Sequence, residues 1–287
     1  MRNMTKALAG FLAIAALSSF GCSHKAGDPD AMATPPSAFN YASEYDEWAN
    51  SNGYEHGDLF PEGYSGIYMD RFMTLPTDAG YESGNIVVGD SRSCQLGIYQ
   101  RRAGRADFAA FAVWGGHYKY DSLPQIMTES LVSGVEKCFR SQIEANGSST
   151  LFFFATVNDY NYLTGNNDEN ISAAISAAER FASMEYEYNG QTHKPKVIVI
   201  GIVGTVREGV FGRDLTAEAF NSCIDDYNEK LKKAVENSPA LKEYSDLYTT
   251  VLDIVGETGF IDDKLHFDDA TLYKLCEYVL KTADTFN

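Results

Sequence analysis

Two short groups of residues near opposite ends of the chain are of the types that together make a nucleophile and its base. The first is Gly89-Asp90-Ser91, which follows the apolar, mostly β-branched run Ile86-Val87-Val88. A short buried strand that ends in Gly-Asp-Ser and turns sharply into a helix holds the serine hydroxyl out of the sheet, with backbone N–H groups and a helix N-terminus beside it. Those donors suit the oxyanion that forms when a hydroxyl attacks a carbonyl. The same residues also read as an N-capping pair after a core strand. The second group is Asp263-Lys264-Leu265-His266, in a loop before the last helix. A carboxylate three residues upstream of an imidazole can fold back and hold its tautomer, as the third member of a hydrolytic triad does. Asp262 could serve in its place.

The choice of base is narrow, because the chain has five histidines. His24 falls in a polar tether and His56 in an aromatic segment. His193 lies in a polar loop before a strand, on the wrong edge of the sheet. His266 is the candidate, with His117 in reserve.

Positioning these groups needs a sheet. Beyond Gly84 the chain alternates continuous apolar runs (Ile86–Val88, Phe108–Trp114, Leu151–Val157, Val197–Val203 and Tyr248–Ile254) with helical patterns at Leu123–Ala145, Ile171–Tyr186, Leu215–Glu236 and Ala270–Ala283. Continuous runs imply strands buried on both faces, and intervening helices imply right-handed crossovers, hence a parallel sheet between helical layers. Asp214 and Asp268-Asp269 read as helix starts. Ligands of such a sheet bind at the carboxyl ends of its strands. Three polar motifs fall there: Gly89-Asp90-Ser91-Arg92, Trp114-Gly115-Gly116-His117 and Thr156-Val157-Asn158-Asp159. Glycines let a backbone N–H approach a ligand closely, and an asparagine amide can donate into the same cleft, although each motif is also ordinary turn chemistry.

Across 287 residues, 44% hydrophobic content with 18 Tyr and 17 Phe supports a sizeable core. A formal charge of −17 argues against nucleic acid and strongly anionic polymers, and favours neutral substrates. Residues 1–21 carry Arg2 and Lys6 and then the apolar run Ala7–Phe20, which reads as an export signal. It ends at Ser19-Phe20-Gly21-Cys22, which resembles a bacterial lipoprotein processing site with Cys22 as the lipidated N-terminus and the membrane anchor. Residues 22–37 have the composition of a tether. Residues 38–287 form one domain whose first part, 38–84, is an aromatic and acidic excursion, either packing on the domain or forming an aromatic wall for a flat substrate. Of the five cysteines, Cys94, Cys138, Cys223 and Cys276 lie in helix-like segments and are expected as free thiols.

Taken in order, Gly-Asp-Ser, a glycine after the second strand, Asn-Asp after the third and Asp-x-x-His near the C-terminus resemble the four sequence blocks of the SGNH (GDSL-like) hydrolases over about 200 residues. The resemblance implies a three-layer α/β/α sandwich with a flavodoxin-like parallel sheet of about five strands. It also implies a serine esterase or acyl hydrolase needing no metal or cofactor. Within it, Ser91 is the nucleophile, His266 the base and Asp263 the residue that orients it. The oxyanion hole is formed by the Ser91 N–H, the Gly115 N–H and the Asn158 side chain. Gly116 competes for the second block; Gly115 is preferred because Tyr118 and Tyr120 then fall where aromatic residues follow that glycine in the Gly-Asp-Ser-Arg group. Two residues depart from the common pattern. Arg92 stands in place of the usual leucine, as in a subset of bacterial envelope proteins, where a guanidinium could clamp a substrate carboxylate or pair with a nearby acid. Thr156 replaces the glycine two residues before the block asparagine.

Two functions of different class follow. One is an envelope-tethered esterase that removes acetyl or other acyl groups from a small molecule, polysaccharide or cell-envelope ester, with acyl transfer as a variant sharing the same acyl-enzyme. The other is a carbohydrate-binding surface lipoprotein on the same fold, without turnover.

Overall fold

The computed structural model describes residues 67–69, 84–103, 107–113, 115–119, 125–161, 165–206, 208, 216–261 and 264–284. The export segment, Cys22, the tether and nearly all of the aromatic excursion lie outside these residues, as do Asp262 and Asp263.

Five parallel strands carry the fold: β2 (Asn85–Gly89), β3 (Ala109–Val113), β4 (Thr150–Phe154), β7 (Lys196–Gly201) and β8 (Thr249–Thr250). Their spatial order is β3-β2-β4-β7-β8, the doubly wound order in which the chain reverses direction across the sheet beside β2. A short strand, β1 (Ile67–Met69), adds antiparallel to β3 at the outer edge, with Ile67 opposite Val113. The remaining pair, β5 (Tyr186–Tyr188) and β6 (Gln191–His193), is a separate hairpin.

The helices are α1 (Ser91–Arg102), α2 (Glu129–Asn146), α3 (Asp168–Ala182), α4 (Ala217–Asn221), α5 (Ile224–Asn237), α6 (Val251–Val255) and α7 (Asp269–Asp284). Alternation along β4 shows the layering. Phe152 meets Tyr278 of α7 edge-on, while Phe153 faces Phe181 of α3 and stacks on Tyr118. With α1 against α7 on one face and α3 against α5 on the other, the sheet is the middle layer of an α/β/α sandwich. Ile86, Val87, Val88, Leu151, Phe152 and Phe153 are fully buried, as two-sided coverage requires. At ~1.5–3 kcal/mol for each such side chain, these central strands are the main source of stability.

Several sequence boundaries move, each for a local reason. The helical pattern expected over Leu123–Ala145 starts at Glu129, because Thr128 caps it by accepting the Leu131 N–H on its hydroxyl oxygen. The pattern over 215–236 splits into α4 and α5, and its cap is Thr216, not Asp214. The run Tyr248–Ile254 yields a strand of two residues, because Thr250 and Asp253 form a capping box that starts α6. Cys94, Cys138 and Cys276 are buried inside helices and Cys223 precedes α5, and no disulfide joins them among the described residues.

Candidate active site

The carboxyl ends of β2, β3 and β4 converge, and each contributes one of the three polar motifs. At the end of β2 the chain passes directly into α1. A Cβ on Gly89 would lie 2.2 Å from Ser93 Oγ and 3.1 Å from Phe154 Cβ, so only glycine permits this tight strand-to-helix step. Ser91 is the first residue of α1, ahead of the helix's own hydrogen-bond ladder and at the positive end of its dipole.

Ser91 Oγ lies 3.0 Å from His266 Nε2, bridging 175 positions of sequence. Both residues are 8% exposed, so the pair is largely desolvated. With its proton on Nδ1, the imidazole accepts the Ser91 hydroxyl at Nε2, the orientation in which it can take that proton.

The loop that carries His266 is held from both sides by α1. The Arg92 guanidinium donates from Nε and Nη2 to the Leu265 carbonyl at 3.2 and 3.0 Å. It also donates to the carbonyls of Val203 at 2.7 Å and Gly204 at 2.8 Å, in the loop after β7. Its Cζ lies over the Phe267 ring, 4.8 Å from the centroid. Gln95, one turn further along α1, accepts the Phe267 N–H at 3.0 Å and donates to the Phe267 carbonyl at 3.2 Å. Leu265 and Phe267 are thus fixed to the helix that begins with Ser91, and His266 sits between them. The sequence allows Arg92 to be either a clamp for a substrate carboxylate or the partner of a nearby acid, and the partners found are backbone carbonyls. At 7% exposure its guanidinium is occupied by backbone carbonyls, whose partial charges and in-plane geometry suit a planar five-donor cation. Gln95 was not singled out from the sequence; a glutamine inside a helix carries no signal of a backbone partner 172 positions away.

The opposite side of the cleft is built on Asp90. Its Oδ1 accepts the Arg92 N–H at 3.0 Å, which caps the turn. Its Oδ2 accepts the Thr156 hydroxyl at 2.7 Å and has a long contact, 3.4 Å, with Asn158 Nδ2. Thr156 also accepts the Asn158 N–H at 3.0 Å, starting the single 3-10 turn Val157–Asp159. Thr156 therefore ties the β4 corner to the β2 turn. Asn158 Nδ2 donates to the Gly116 carbonyl at 3.1 Å.

The two glycines after β3 are distinguished by their hydrogen bonds. Gly116 turns its N–H back to the Val113 carbonyl at 2.9 Å. Gly115 has φ +66°, a left-handed conformation natural to glycine, and its N–H has no partner among the described residues. Of the pair, Gly115 is the one able to offer a backbone donor.

His117, the reserve base, is buried and paired elsewhere: its Nδ1 lies 3.0 Å from Asp159 Oδ1, and the other oxygen of that carboxylate accepts the Tyr118 N–H at 2.7 Å. Burial, reinforced by the nearby Asp90 and Asp159 carboxylates, pushes the Tyr118 phenol well above its ordinary range. It stays protonated and donates to the Phe154 carbonyl at 2.8 Å. His193 lies in β6, in the hairpin that leads into β7, as its expected distance from the cleft requires.

Compared with protein-family models, with curated proteins and with solved structures, the chain shows no match.

Proposed function

We propose that this chain is a serine esterase of the SGNH type, acting on acyl groups of a carbohydrate or cell-envelope ester and held at a membrane through a lipid on Cys22. The observation that carries the reading is the 3.0 Å contact between Ser91 Oγ and His266 Nε2 at the carboxyl edge of a parallel sheet. In the reaction, His266 Nε2 takes the hydroxyl proton as Ser91 Oγ bonds to the ester carbonyl carbon. The carbonyl oxygen becomes an oxyanion facing the Ser91 and Gly115 N–H groups and the Asn158 amide. Collapse breaks the bond to the alcohol, which leaves with the proton from His266. Water, deprotonated by the same imidazole, then releases the acid and restores Ser91. Asp263 is assigned to hold the Nδ1 proton of His266, on its spacing in the sequence. If a sugar hydroxyl replaces water in the second half, the same site performs acyl transfer.

A second reading, a carbohydrate-binding surface lipoprotein without turnover, is favoured by one feature: both N–H groups of the Asn158 amide point to acceptors within the protein. The contact to Asp90 is long, and an oxyanion would compete for it.

One experiment separates the two. Wild-type protein should hydrolyse p-nitrophenyl acetate and be labelled covalently by a fluorophosphonate, and Ser91→Ala should lose both while keeping its circular dichroism spectrum. Labelling that persists in the alanine variant would remove Ser91 from the mechanism. A wild type that neither turns over nor labels would leave the binding reading.

A further inference from the structure

The two donors assigned to the oxyanion beyond Ser91 come from strands that are not neighbours. Gly115 follows β3 and Asn158 follows β4, and β2 lies between them. Two strand spacings, roughly 9–10 Å, separate the ends of β3 and β4, and no ladder bond joins those strands to fix the two corners against each other. Gly116 O accepts from Asn158 Nδ2, the amide that must turn toward an oxyanion, and its 3.2 Å contact with Thr156 Oγ1 is the weaker one, because the single Thr156 hydroxyl proton goes to Asp90 Oδ2 at 2.7 Å.

Resting on the esterase reading, we infer that His117 and Asp159 are positioning residues that set the width of the oxyanion hole. Each follows an oxyanion-side residue closely in sequence: Asp159 comes directly after Asn158, and His117 two residues after Gly115. Their side chains meet at 3.0 Å across the top of β2, and both residues are 3% exposed. The second carboxylate oxygen takes the Tyr118 N–H, so Asp159 grips two consecutive residues of the β3 corner. Each end is anchored further. Asn170 of α3 donates to the Asp159 carbonyl, and the His117 carbonyl accepts the Ile126 N–H at 3.0 Å. When Asn158 leaves Gly116 O to meet the oxyanion, this grip maintains the spacing of the two corners. The triad does not use this buried pair, and an ionisable pair with no role would be replaced by apolar residues at little cost in stability.

The test compares variants at His117 that differ in where they place a donor. Asparagine puts its amide nitrogen near the position of Nδ1 and keeps the bond to Asp159; glutamine carries its nitrogen past it, and leucine has none. With p-nitrophenyl acetate, His117→Asn should keep kcat within about threefold of wild type. His117→Gln and His117→Leu should lose on the order of 10²-fold in kcat, the scale of a displaced catalytic contact, with KM changed less than about twofold. The rate of fluorophosphonate labelling should fall in parallel while its end point stays at one label per chain, which excludes loss of folded protein as the cause. If the leucine variant does not fold, the asparagine and glutamine pair carries the comparison. Equal kcat for asparagine and glutamine, or a loss expressed in KM or in the labelling end point, overturns the inference. An active wild type with undiminished variants rejects the grip alone, whereas a wild type without labelling rejects the esterase reading and the grip with it.

Discussion

Arg92 shows how much a single side chain can organise through backbone carbonyls. Its neighbour in sequence is Ser91, and its acceptor Leu265 is the neighbour of His266, so the guanidinium fixes Ser91 and His266 relative to each other through backbone on both sides. Lysine at this position keeps a positive charge but offers no planar fork, and cannot serve the carbonyls of Val203, Gly204 and Leu265 together. Arg92→Lys should therefore reduce kcat on p-nitrophenyl acetate by roughly 10- to 10²-fold with little change in KM. A clamp on a substrate carboxylate would behave differently: neutral esters would be unaffected and KM for acidic esters would rise. Steady-state kinetics on a neutral and a carboxylated ester distinguish the two.

At the scale of elements, the step from β2 into α1 does most to place the serine. There is no connecting loop, since Gly89 ends the strand and Ser91 begins the helix. Its tightness depends on a glycine whose missing Cβ would overlap Ser93 Oγ, a fully buried atom with no hydrogen-bond partner among the described residues. Gly89→Ala should destabilise by about 1–3 kcal/mol, the usual cost of overpacking a core, and should lower the rate of serine labelling by moving α1. Urea denaturation monitored by fluorescence measures the first effect. The β5–β6 hairpin takes Tyr186 out of the helical pattern expected over Ile171–Tyr186, and its signal is local, since Asn189-Gly190 is a strong two-residue hairpin turn. Both residues adopt positive φ, +52° and +76°, as that turn demands.

For the whole molecule, the doubly wound sheet sets a balance between a dry interior and several phenols taken into it. Burial raises Tyr118, Tyr227 and Tyr248 well above the ordinary tyrosine value and pushes Tyr160 up to about 12. For Tyr118 and Tyr227 nearby carboxylates add to burial. A folded-state pKa above the unfolded one means that the unfolded chain loses its protons first as pH rises. The stability these groups contribute is complete below about pH 10, and it is lost as pH climbs through their folded values. The urea midpoint should therefore be insensitive to these tyrosines between about pH 7 and 9 and should fall steeply above about pH 10. Tyr227 offers a control, because its buried hydroxyl makes no hydrogen bond among the described residues. Tyr227→Phe should cost little at neutral pH and should lessen the alkaline fall.

What the sequence determined by itself is the class of the fold and the order of its parts. Uninterrupted apolar runs separated by helix-length amphipathic segments leave a parallel sheet covered on both faces as the natural way to bury them, and the observed strand order follows. It also brought Ser91, Gly115, Asn158 and His266 forward as candidates, because Gly-Asp-Ser, glycine and Asn-Asp at strand ends are local signals. It could not say what holds them. The acceptors of Arg92 lie 111 to 173 positions away, that of Gln95 lies 172 away, and the partners of Asp159 and Asp90 lie 42 and 66 away. Many of those partners are backbone carbonyls and N–H groups, which every residue but proline carries alike, so no residue type marks them. Only folding, which brings particular backbone groups to particular side chains, decides that the Arg92 guanidinium meets the carbonyls of Val203, Gly204 and Leu265 beside His266.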